Sequence, residues 1–235
     1  MPNNYFKFKQ FTIVQDGCAM KVGTDGCLLG GWFDCSDSKH ILDIGCGSGL
    51  IAIMAAQRSN AQITGIEIDK DAAVQARENV NNSPWKERIE IVNENLLDYS
   101  CDKKFDTIVS NPPYFVNSLK CDNSSRTLAR HSDSLSSKDF FAKCADISTH
   151  DSTVAIIIPC DIMNEWQSSA NEYSFNTKRV TYIKTTPTKL PKRVLIEFSR
   201  ATEDTITTTL ILEESRGEYS EDAKKILRDF YLKIE

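Results

Sequence analysis

The strongest constraint on the fold is an alternation of strand-like and helix-like runs that begins at residue 40. Short apolar runs predict strands at 40–44, 62–68, 88–93, 105–110 and 153–159. Runs with apolar residues at helical spacing predict helices at 50–58, after Asp69, at 137–148 and at 161–172. Such alternation predicts a three-layer α/β fold, in which helices cover both faces of a mostly parallel sheet.

The last third of the chain departs from this alternation. Two strand-like runs, 179–184 and 193–199, are joined by a short segment that contains Pro187 and Pro191. A connection this short permits antiparallel pairing but leaves no room for a crossover helix. A further β-rich run and a helical run complete the chain, at 205–213 and 220–233.

Length and composition indicate a single globular domain over 1–235. The chain is 40% hydrophobic and 26% charged, and its longest purely apolar run, 154–158, is far too short to cross a bilayer. Because the N-terminus also lacks the layout of a signal peptide, we expect a cytoplasmic protein without a membrane contact. We divide the domain into an N-terminal extension, a core, and a C-terminal strand and helix: 1–39, 40–200 and 201–235.

Cysteine spacing and charge narrow the class of partner. The eight cysteines form no Cys-x-x-Cys pair and do not cluster with the three histidines, so we expect reduced thiols and no metal site. The net charge of −5 argues against a protein that coats nucleic acid non-specifically. It leaves room for local basic patches, for example around Lys21, at Arg126 and Arg130, and from Lys184 to Arg193.

A glycine-rich turn follows the strand predicted at 40–44. Asp43 precedes the turn, and glycines stand at alternate positions, Gly45, Gly47 and Gly49. Glycine permits positive φ and close approach of a ligand, to which the next helix presents unpaired N–H groups. Glu67 lies twenty residues beyond Gly47 and closes the next strand, where a carboxylate can accept both hydroxyls of a ribose.

Two ligand classes compete for such a turn. A dinucleotide site requires Gly-x-Gly-x-x-Gly, but the third glycine comes one residue early and Leu50 takes its place. Asp43 also suits a cation better than a pyrophosphate. S-adenosylmethionine, with a ribose, an adenine, a positive sulfonium and no phosphate, fits these residues. The structural alternative is a tight turn followed by acidic helix caps.

The strand predicted at 105–110 ends in Asn111-Pro112-Pro113-Tyr114, at the same sheet edge as the glycine turn. An exocyclic amine or amide nitrogen is a poor nucleophile because its lone pair is delocalised. The Asn111 oxygen and the Pro112 carbonyl can each accept one N–H and aim that lone pair at a methyl donor. The prolines fix the carbonyl, and Tyr114 offers a stacking face. Alternatively, the tetrapeptide merely ends the strand and Tyr114 is core.

The tetrapeptide and the glycine turn resemble the Asn-Pro-Pro-Tyr class of S-adenosylmethionine-dependent methyltransferases, whose members modify adenine N6, guanine N2 or a glutamine amide. Further segments resemble the bacterial tRNA1(Val) (adenine-37-N6)-methyltransferase family. These are FKFKQFTIVQDGCAMKVGTDGCLLGGW, NSPWKERIEIV, SRTLARHSDSLS, LPKRVLIEFS and DFYLKI, at 6–32, 82–92, 125–136, 190–199 and 229–234. The resemblance implies a Rossmann-like seven-stranded sheet, mostly parallel with an antiparallel C-terminal strand. It also implies methylation of an adenine in a tRNA anticodon loop, and it does not imply a stable protein partner.

The resemblance assigns cofactor residues by position. Gly45, Gly47, Gly49 and Glu67 are assigned to S-adenosylmethionine, and the N-terminal extension adds residues beside its methionine end, Lys21, Thr24 and Asp25. The alternative interpretation of Lys21 is a solvated surface residue without a role in cofactor binding. Asn95 stands where many relatives have an aspartate that contacts the adenine, and Asp98 is a competing candidate.

The resemblance also assigns the chemistry and the RNA contacts. The Asn111–Tyr114 tetrapeptide carries over as the catalytic motif, and the predicted RNA-binding residues are Arg126, Arg130, Lys192 and Arg193. For the first two arginines, the alternative is pairing with nearby carboxylates.

Other functions remain open at this point. A glutamine amide of a release factor is disfavoured, because that class usually carries a separate helical domain and only 39 residues precede the first core strand. A guanine N2 in ribosomal RNA is a further acceptor. A non-catalytic binding module and an NAD-dependent dehydrogenase are the alternatives outside methyl transfer.

Overall fold

The structure, a computed structural model, describes residues 4–18, 20–113 and 135–234. The strands of this part of the chain are β1 (Tyr5–Lys7), β2 (Thr12–Val14), β3 (His40–Ile44), β4 (Gln62–Glu67), β5 (Ile89–Asn93), β6 (Phe105–Ser110), β7 (Ser148–Pro159), β8 (Asn176–Lys184), β9 (Arg193–Ser199), β10 (Ile206–Ile211), β11 (Glu213–Ser215) and β12 (Glu218–Tyr219). The helices are α1 (Thr24–Trp32), α2 (Leu50–Arg58), α3 (Lys70–Asn81), α4 (Ser137–Ile147), α5 (Met163–Glu172) and α6 (Glu221–Leu227).

The predicted α/β fold is confirmed, and its sheet has one strand more than the resemblance implied. Eight strands pair in the order β10-β8-β9-β7-β6-β3-β4-β5. Within this sheet β9 runs antiparallel to β7 and β8, and the other pairs of neighbours are parallel. The additional strand is β10, which pairs in parallel with β8 at the edge of the sheet.

Each face of the sheet carries its own hydrophobic core. On one face, α4 and α5 pack aromatic residues over the central strands, with Phe140, Phe141 and Trp166 in mutual ring contact. On the other face, α1, α2, α3 and α6 pack together with the N-terminal hairpin β1–β2. Helices thus cover both faces of the sheet and its central strands β3, β6 and β9 are buried from both sides, which is the arrangement of a three-layer fold.

The N-terminal helix α1 lies alongside α2, and the two helices run in the same direction. Gly26 faces Leu50, and four residues later Gly30 faces Met54. A Cβ added at Gly30 would lie 2.6 Å from the Met54 sulfur, so only glycine permits this close approach. The N-termini of α1 and α2 therefore meet at the same edge of the sheet.

The C-terminal helix is shorter than the predicted run 220–233. It ends at Leu227, and the chain then folds back in turns in which the Leu227 carbonyl accepts from Phe230 and Tyr231. Lys9 holds this segment, because its ammonium donates to the carbonyl of Arg228 at the helix end and to the carbonyl of Ile234 near the end of the described chain. The N-terminal hairpin thus anchors the C-terminus. Within the described ranges, no helix combines the length and the apolar character needed to span a membrane.

Candidate active site

Three neighbouring strands end at one level of the sheet. Ile44 of β3 pairs with Ile66 of β4 on one side and with Ser110 of β6 on the other. The Ser110 hydroxyl also donates to the Ile44 carbonyl at 2.8 Å, which ties the two strand ends together. The next residues of these strands are Gly45, Glu67 and Asn111. Since neighbouring strands lie about 4.8 Å apart, the register brings the turn, the carboxylate and the amide to one edge.

The glycine turn has the backbone conformation that the sequence predicts. Gly45, Gly47 and Gly49 have φ values of 68°, 54° and 80°, in the left-handed region that side chains other than glycine rarely adopt. A Cβ at Gly45 or Gly47 would meet no atom of the described residues within 4 Å, whereas one at Gly49 would touch Ala76 of α3. The first two glycines thus border open space, and the third packs the turn against a helix.

Glu67 holds the turn from the end of β4. Its side chain is buried, and its two oxygens accept from the backbone N–H of Gly47 at 2.8 Å and of Asp69 at 2.9 Å. A carboxylate has about four acceptor positions, so two remain beyond these bonds. The sequence left open whether Glu67 caps a helix or binds a ribose. The arrangement allows both roles, because Glu67 organises the start of α3 and has acceptor positions left for ribose hydroxyls.

Asp43 lies beneath the turn, fully buried. One oxygen accepts from the N–H of Ala52 in α2 at 3.0 Å, and the other has no hydrogen-bond partner among the described residues. Burial raises the pKa of Asp43 to about 7, with a further contribution from the negative charge of Glu67. Contact with a cationic ligand stays a prediction, since the observed bond is to the backbone of α2.

Asn111 presents an unused acceptor at this edge. Its side-chain oxygen is buried and has no hydrogen-bond partner within the described part of the chain. Buried acceptors of this kind are rare in folded proteins and often mark a site completed by a ligand. Pro112 is buried and Pro113 is exposed. Tyr114, Arg126 and Arg130 lie outside the described residues.

The segment of the N-terminal extension that precedes α1 lies next to α3, close to the end of β4. The Gly17 N–H donates to Gln75 of α3 at 3.4 Å. Cys18 is buried, and the pKa of its thiol is raised by burial and by the negative charges of Glu67 and Asp69. Lys21 is exposed, and its ammonium donates to the Gln15 carbonyl at 3.0 Å. This contact is compatible with the surface reading of Lys21.

Two residues that the sequence assigns to different ligands contact each other. Asp25, in the first turn of α1, accepts from the Nε of Arg193 at 2.8 Å. Arg193 pairs with Pro159 at the end of β7 and therefore lies on the same sheet edge as Asn111. Thr24 is the exposed first residue of α1, and Lys192 is exposed beside Arg193. The ion pair connects the predicted cofactor side to the predicted RNA side.

Asn95 and Ile68 flank Glu67. Asn95 lies two residues beyond Asn93, the β5 partner of Glu67, and its side-chain oxygen accepts from the N–H of Leu97 at 3.1 Å. Ile68 is 67% exposed, which is unusual for an apolar residue directly after a buried strand. Sequence reasoning missed Ile68, although an isoleucine directly after the acidic strand end was a visible signal.

Asn79 is a second residue that sequence reasoning missed. This buried amide of α3 donates to the carbonyls of Val14 at 2.8 Å and Ser48 at 2.9 Å, and it accepts from the Val14 N–H at 2.9 Å. It therefore joins the N-terminal hairpin to the glycine turn. The signal was an amide on the buried face of α3, beside Ala72 and Ala76. Among the described side chains, no cluster of His, Cys, Asp and Glu is arranged to hold a metal ion.

Comparison with known proteins identifies a methyltransferase domain and a family. The family model for the methyltransferase small domain matches residues 20–138. A tRNA1(Val) (adenine(37)-N6)-methyltransferase of Bacteroides thetaiotaomicron is 47% identical over 236 residues, with full coverage of both chains. A relative of the same name from Phocaeicola vulgatus is 44% identical, again over the full length of both chains.

The fold is shared with solved methyltransferase structures. A crystal structure described as a predicted O-methyltransferase from Agrobacterium tumefaciens superposes with a TM-score of 0.70 at 18% identity, covering 88% of this chain and 96% of that chain. This likeness shows the fold alone, whereas the relatives at 44–47% identity match along the full length. The chain therefore belongs to the tRNA1(Val) (adenine(37)-N6)-methyltransferase family.

Proposed function

We propose that this protein transfers a methyl group from S-adenosylmethionine to N6 of an adenine in a tRNA anticodon loop, adenine 37 of tRNA1(Val). The observation that carries the proposal is the buried, unpartnered Asn111 oxygen, which lies one strand away from the glycine turn. The names of the full-length relatives supply the acceptor. The whole chain acts as one domain, in which the extension 1–39 and the C-terminal part 201–235 frame the core.

The residues at the edge fit the cofactor. Gly45 and Gly47 leave open space in front of a positive-φ backbone, which lets a ligand lie against the chain. Glu67 accepts the ribose hydroxyls with its two remaining acceptor positions, and Ile68 offers an apolar surface to the adenine. Asn95 binds the adenine edge, while Asp43, Gly49, Lys21, Thr24 and Asp25 complete the predicted set.

Asn111 and Pro112 position the amine that is methylated. When bound, S-adenosylmethionine supplies a methyl group on a positively charged sulfur. The Asn111 oxygen accepts one N–H of the adenine amine, and the Pro112 carbonyl accepts the other. These bonds favour a pyramidal nitrogen, whose lone pair is no longer delocalised into the ring and points at the methyl group, and they stabilise the positive charge that develops on nitrogen. The nitrogen then loses one proton to water, because the two carbonyl oxygens accept hydrogen bonds but are too weakly basic to take the proton themselves. Tyr114 stacks on the adenine.

An unpaired loop base suits this site because it is reached without melting a helix. We assign Arg126, Arg130, Lys192 and Arg193 to the side from which the RNA enters. We also propose that the enzyme acts in the cytoplasm, as the sequence predicts, because its proposed substrate is a tRNA.

The experiment is methylation of total tRNA from a strain that lacks the enzyme, with labelled S-adenosylmethionine, followed by nucleoside mass spectrometry and mapping of the modified position. We expect N6-methyladenosine at position 37 of tRNA1(Val). Label in guanine or in a protein glutamine would replace the proposed acceptor. Absence of any transfer to tRNA would overturn the proposal.

A further inference from the structure

We propose that the loop between β8 and β9, residues 185–192, is a preformed docking element for the phosphate backbone of the tRNA substrate, and that Arg193 orients it through Asp25. This inference rests on the proposed function and assigns one side of the RNA interface. The loop belongs to the described part of the chain, so its backbone and charges can be followed directly.

The charge of this region differs from that of the chain as a whole. The protein carries 28 basic and 33 acidic residues. Between Tyr173 and Ile196 there is no acidic residue, while the basic residues are Lys178, Arg179, Lys184, Lys189, Lys192 and Arg193. A basic run in an acidic protein is the sequence feature expected for a local contact with a polyanion.

The strand register divides these cations between the two ends of the sheet. Lys178 and Arg179 form ion pairs with Glu197 within the body of β8 and β9. Lys189 and Lys192 lie on the exposed loop, and neither side chain forms an ion pair with a described residue. They are therefore available to a ligand at the edge where β3, β4 and β6 end. The acidic Asp161 and Glu213 lie on flanking elements. The Glu213 N–H donates to the Thr185 carbonyl of the loop at 3.0 Å, and its carboxylate accepts from Gly217 of its own hairpin.

The loop stands beside the proposed catalytic tip and above it. Ser110 of β6 pairs with Ile156 of β7, and Pro159, three residues further along β7, pairs with Arg193. The base of the loop therefore lies about 10 Å beyond the level of Ser110, measured along the strands. Two strand spacings separate β6 from β9, or about 10 Å sideways. Lys189 and Lys192 thus lie on the β9 side of Asn111, at a distance that nucleotides flanking a bound base can span.

The loop is ordered by its own contacts. The Lys189 N–H donates to Thr186 at 3.1 Å, the Lys192 N–H donates to Ile183 at 3.3 Å, and the Lys184 ammonium donates to the Pro187 carbonyl. At the base of the loop, the Arg193 guanidinium is bonded to Asp25 of α1. A loop fixed before binding loses little conformational freedom when it meets the RNA, so the lysines act from set positions.

Paired substitutions test the phosphate contact. The full-length Lys189→Ala/Lys192→Ala protein is compared with Lys86→Ala/Lys103→Ala, which removes two exposed lysines just before β5 and β6, at the opposite edge of the sheet. Binding of an unmodified tRNA1(Val) transcript is measured by fluorescence anisotropy over a series of salt concentrations. We expect the Kd to rise about tenfold for the loop variant only, and the slope of log K against log salt to shrink by about 1.5. Binding of S-adenosylhomocysteine stays at the wild-type level.

The role of Arg193 is tested separately, in tRNA binding without cofactor. If Arg193 orients the loop, Asp25→Ala and Arg193→Ala weaken tRNA binding to the same extent, and the double variant is no weaker than either one. If Arg193 instead contacts a phosphate directly, Asp25→Ala leaves binding unchanged or tightens it. That result would overturn the orienting role.

The failure of this inference is distinguishable from failure of the proposed function. If the wild type methylates tRNA and the loop and control variants bind tRNA equally well, only the proposed docking role of the loop is overturned. A wild type that binds tRNA through the loop lysines without methylating it overturns the proposed reaction alone. A wild type that does not bind tRNA overturns both.

Discussion

The carboxylate of Glu67 accepts a hydrogen bond from the backbone N–H of Gly47 at 2.8 Å, across twenty residues of sequence. The bond holds the glycine turn at the end of β3 against the end of β4. The other oxygen of Glu67 is bonded to Asp69, where α3 is capped. One buried side chain therefore fixes both the turn and the helix that border the proposed cofactor site.

Replacing Glu67 by glutamine tests this role. An amide offers one acceptor and one donor, so either Gly47 or Asp69 loses its bond and faces an N–H. We expect the affinity for S-adenosylhomocysteine to fall at least tenfold and the free energy of unfolding to fall by about 1–2 kcal/mol. Calorimetric titration and urea unfolding measure the two effects. Glu90→Gln, on an exposed position of β5, serves as the control, and equal affinities of the two variants would contradict the prediction.

Gly47→Ala separates backbone strain from ligand contact. The substitution costs about 1 kcal/mol of stability, because φ is 54° and the added methyl group meets no described atom within 4 Å. Gly217→Ala has the same features, with φ of 87° and open space around it, but it lies on the β11–β12 turn. We expect similar losses of stability in thermal unfolding, with loss of cofactor binding in Gly47→Ala alone. Retained binding in Gly47→Ala would show that the open space is not occupied by the ligand.

Asn111→Ala is expected to reduce kcat by about two to three orders of magnitude, because it removes an acceptor for the reacting amine. Stability should change little, since the Asn111 oxygen has no partner in the described structure. Single-turnover methylation of tRNA, with binding of S-adenosylhomocysteine measured in parallel, checks both points. Asn171→Ala, on an exposed position of α5, is the matched control. Full turnover by the Asn111 variant would remove this residue from the mechanism.

Asn79→Ala is expected to act through structure. It leaves the Val14 N–H and the carbonyls of Val14 and Ser48 without their partner, and we expect a loss of about 2–4 kcal/mol in the free energy of unfolding. Because Ser48 belongs to the glycine turn, the affinity for the cofactor should fall as well. Asn81→Ala, exposed on the same helix, should change neither quantity in denaturant unfolding or ligand titration.

Asp43 predicts a pH dependence of stability. Its pKa rises from an ordinary value of 3.8 to about 7 in the folded protein, so between these values the folded state binds more protons than the unfolded state. The contribution of Asp43 to stability is therefore greatest below pH 4, is lost as the pH rises through 7, and is constant above that.

Asp43→Asn lacks this pH-dependent contribution. Between pH 5 and pH 8, the free energy of unfolding of the variant, measured in urea, should therefore increase relative to that of the wild type. Asp98→Asn changes the same atoms on an exposed turn and should follow the wild-type profile. Parallel pH profiles for the wild type and Asp43→Asn would show that this carboxyl does not titrate in that range.

Local patterns of sequence determined much of the fold. The apolar runs predicted β3, β4, β5, β6 and β9 to within a residue or two, because the inner strands are almost continuously apolar and the edge strand β5 alternates buried and exposed residues. The positive φ of Gly45, Gly47 and Gly49 also followed from sequence, since turns of this kind need glycine. The resemblance to a methyltransferase family was visible because turn, Glu67 and tetrapeptide are short motifs at fixed positions along the strands.

The tertiary structure decided the contacts between residues far apart in sequence. Packing against the core, which local periodicity does not encode, made Asn79 the link between the N-terminal hairpin and the turn. It also joined Asp25 to Arg193 across 168 positions, although the sequence assigned them to different ligands. The parallel pairing of β10 with β8 and the early end of α6 likewise depend on neighbours from distant segments. Sequence specifies which residues form strands, turns and caps, and only the folded arrangement specifies which of their polar groups remain free for chemistry.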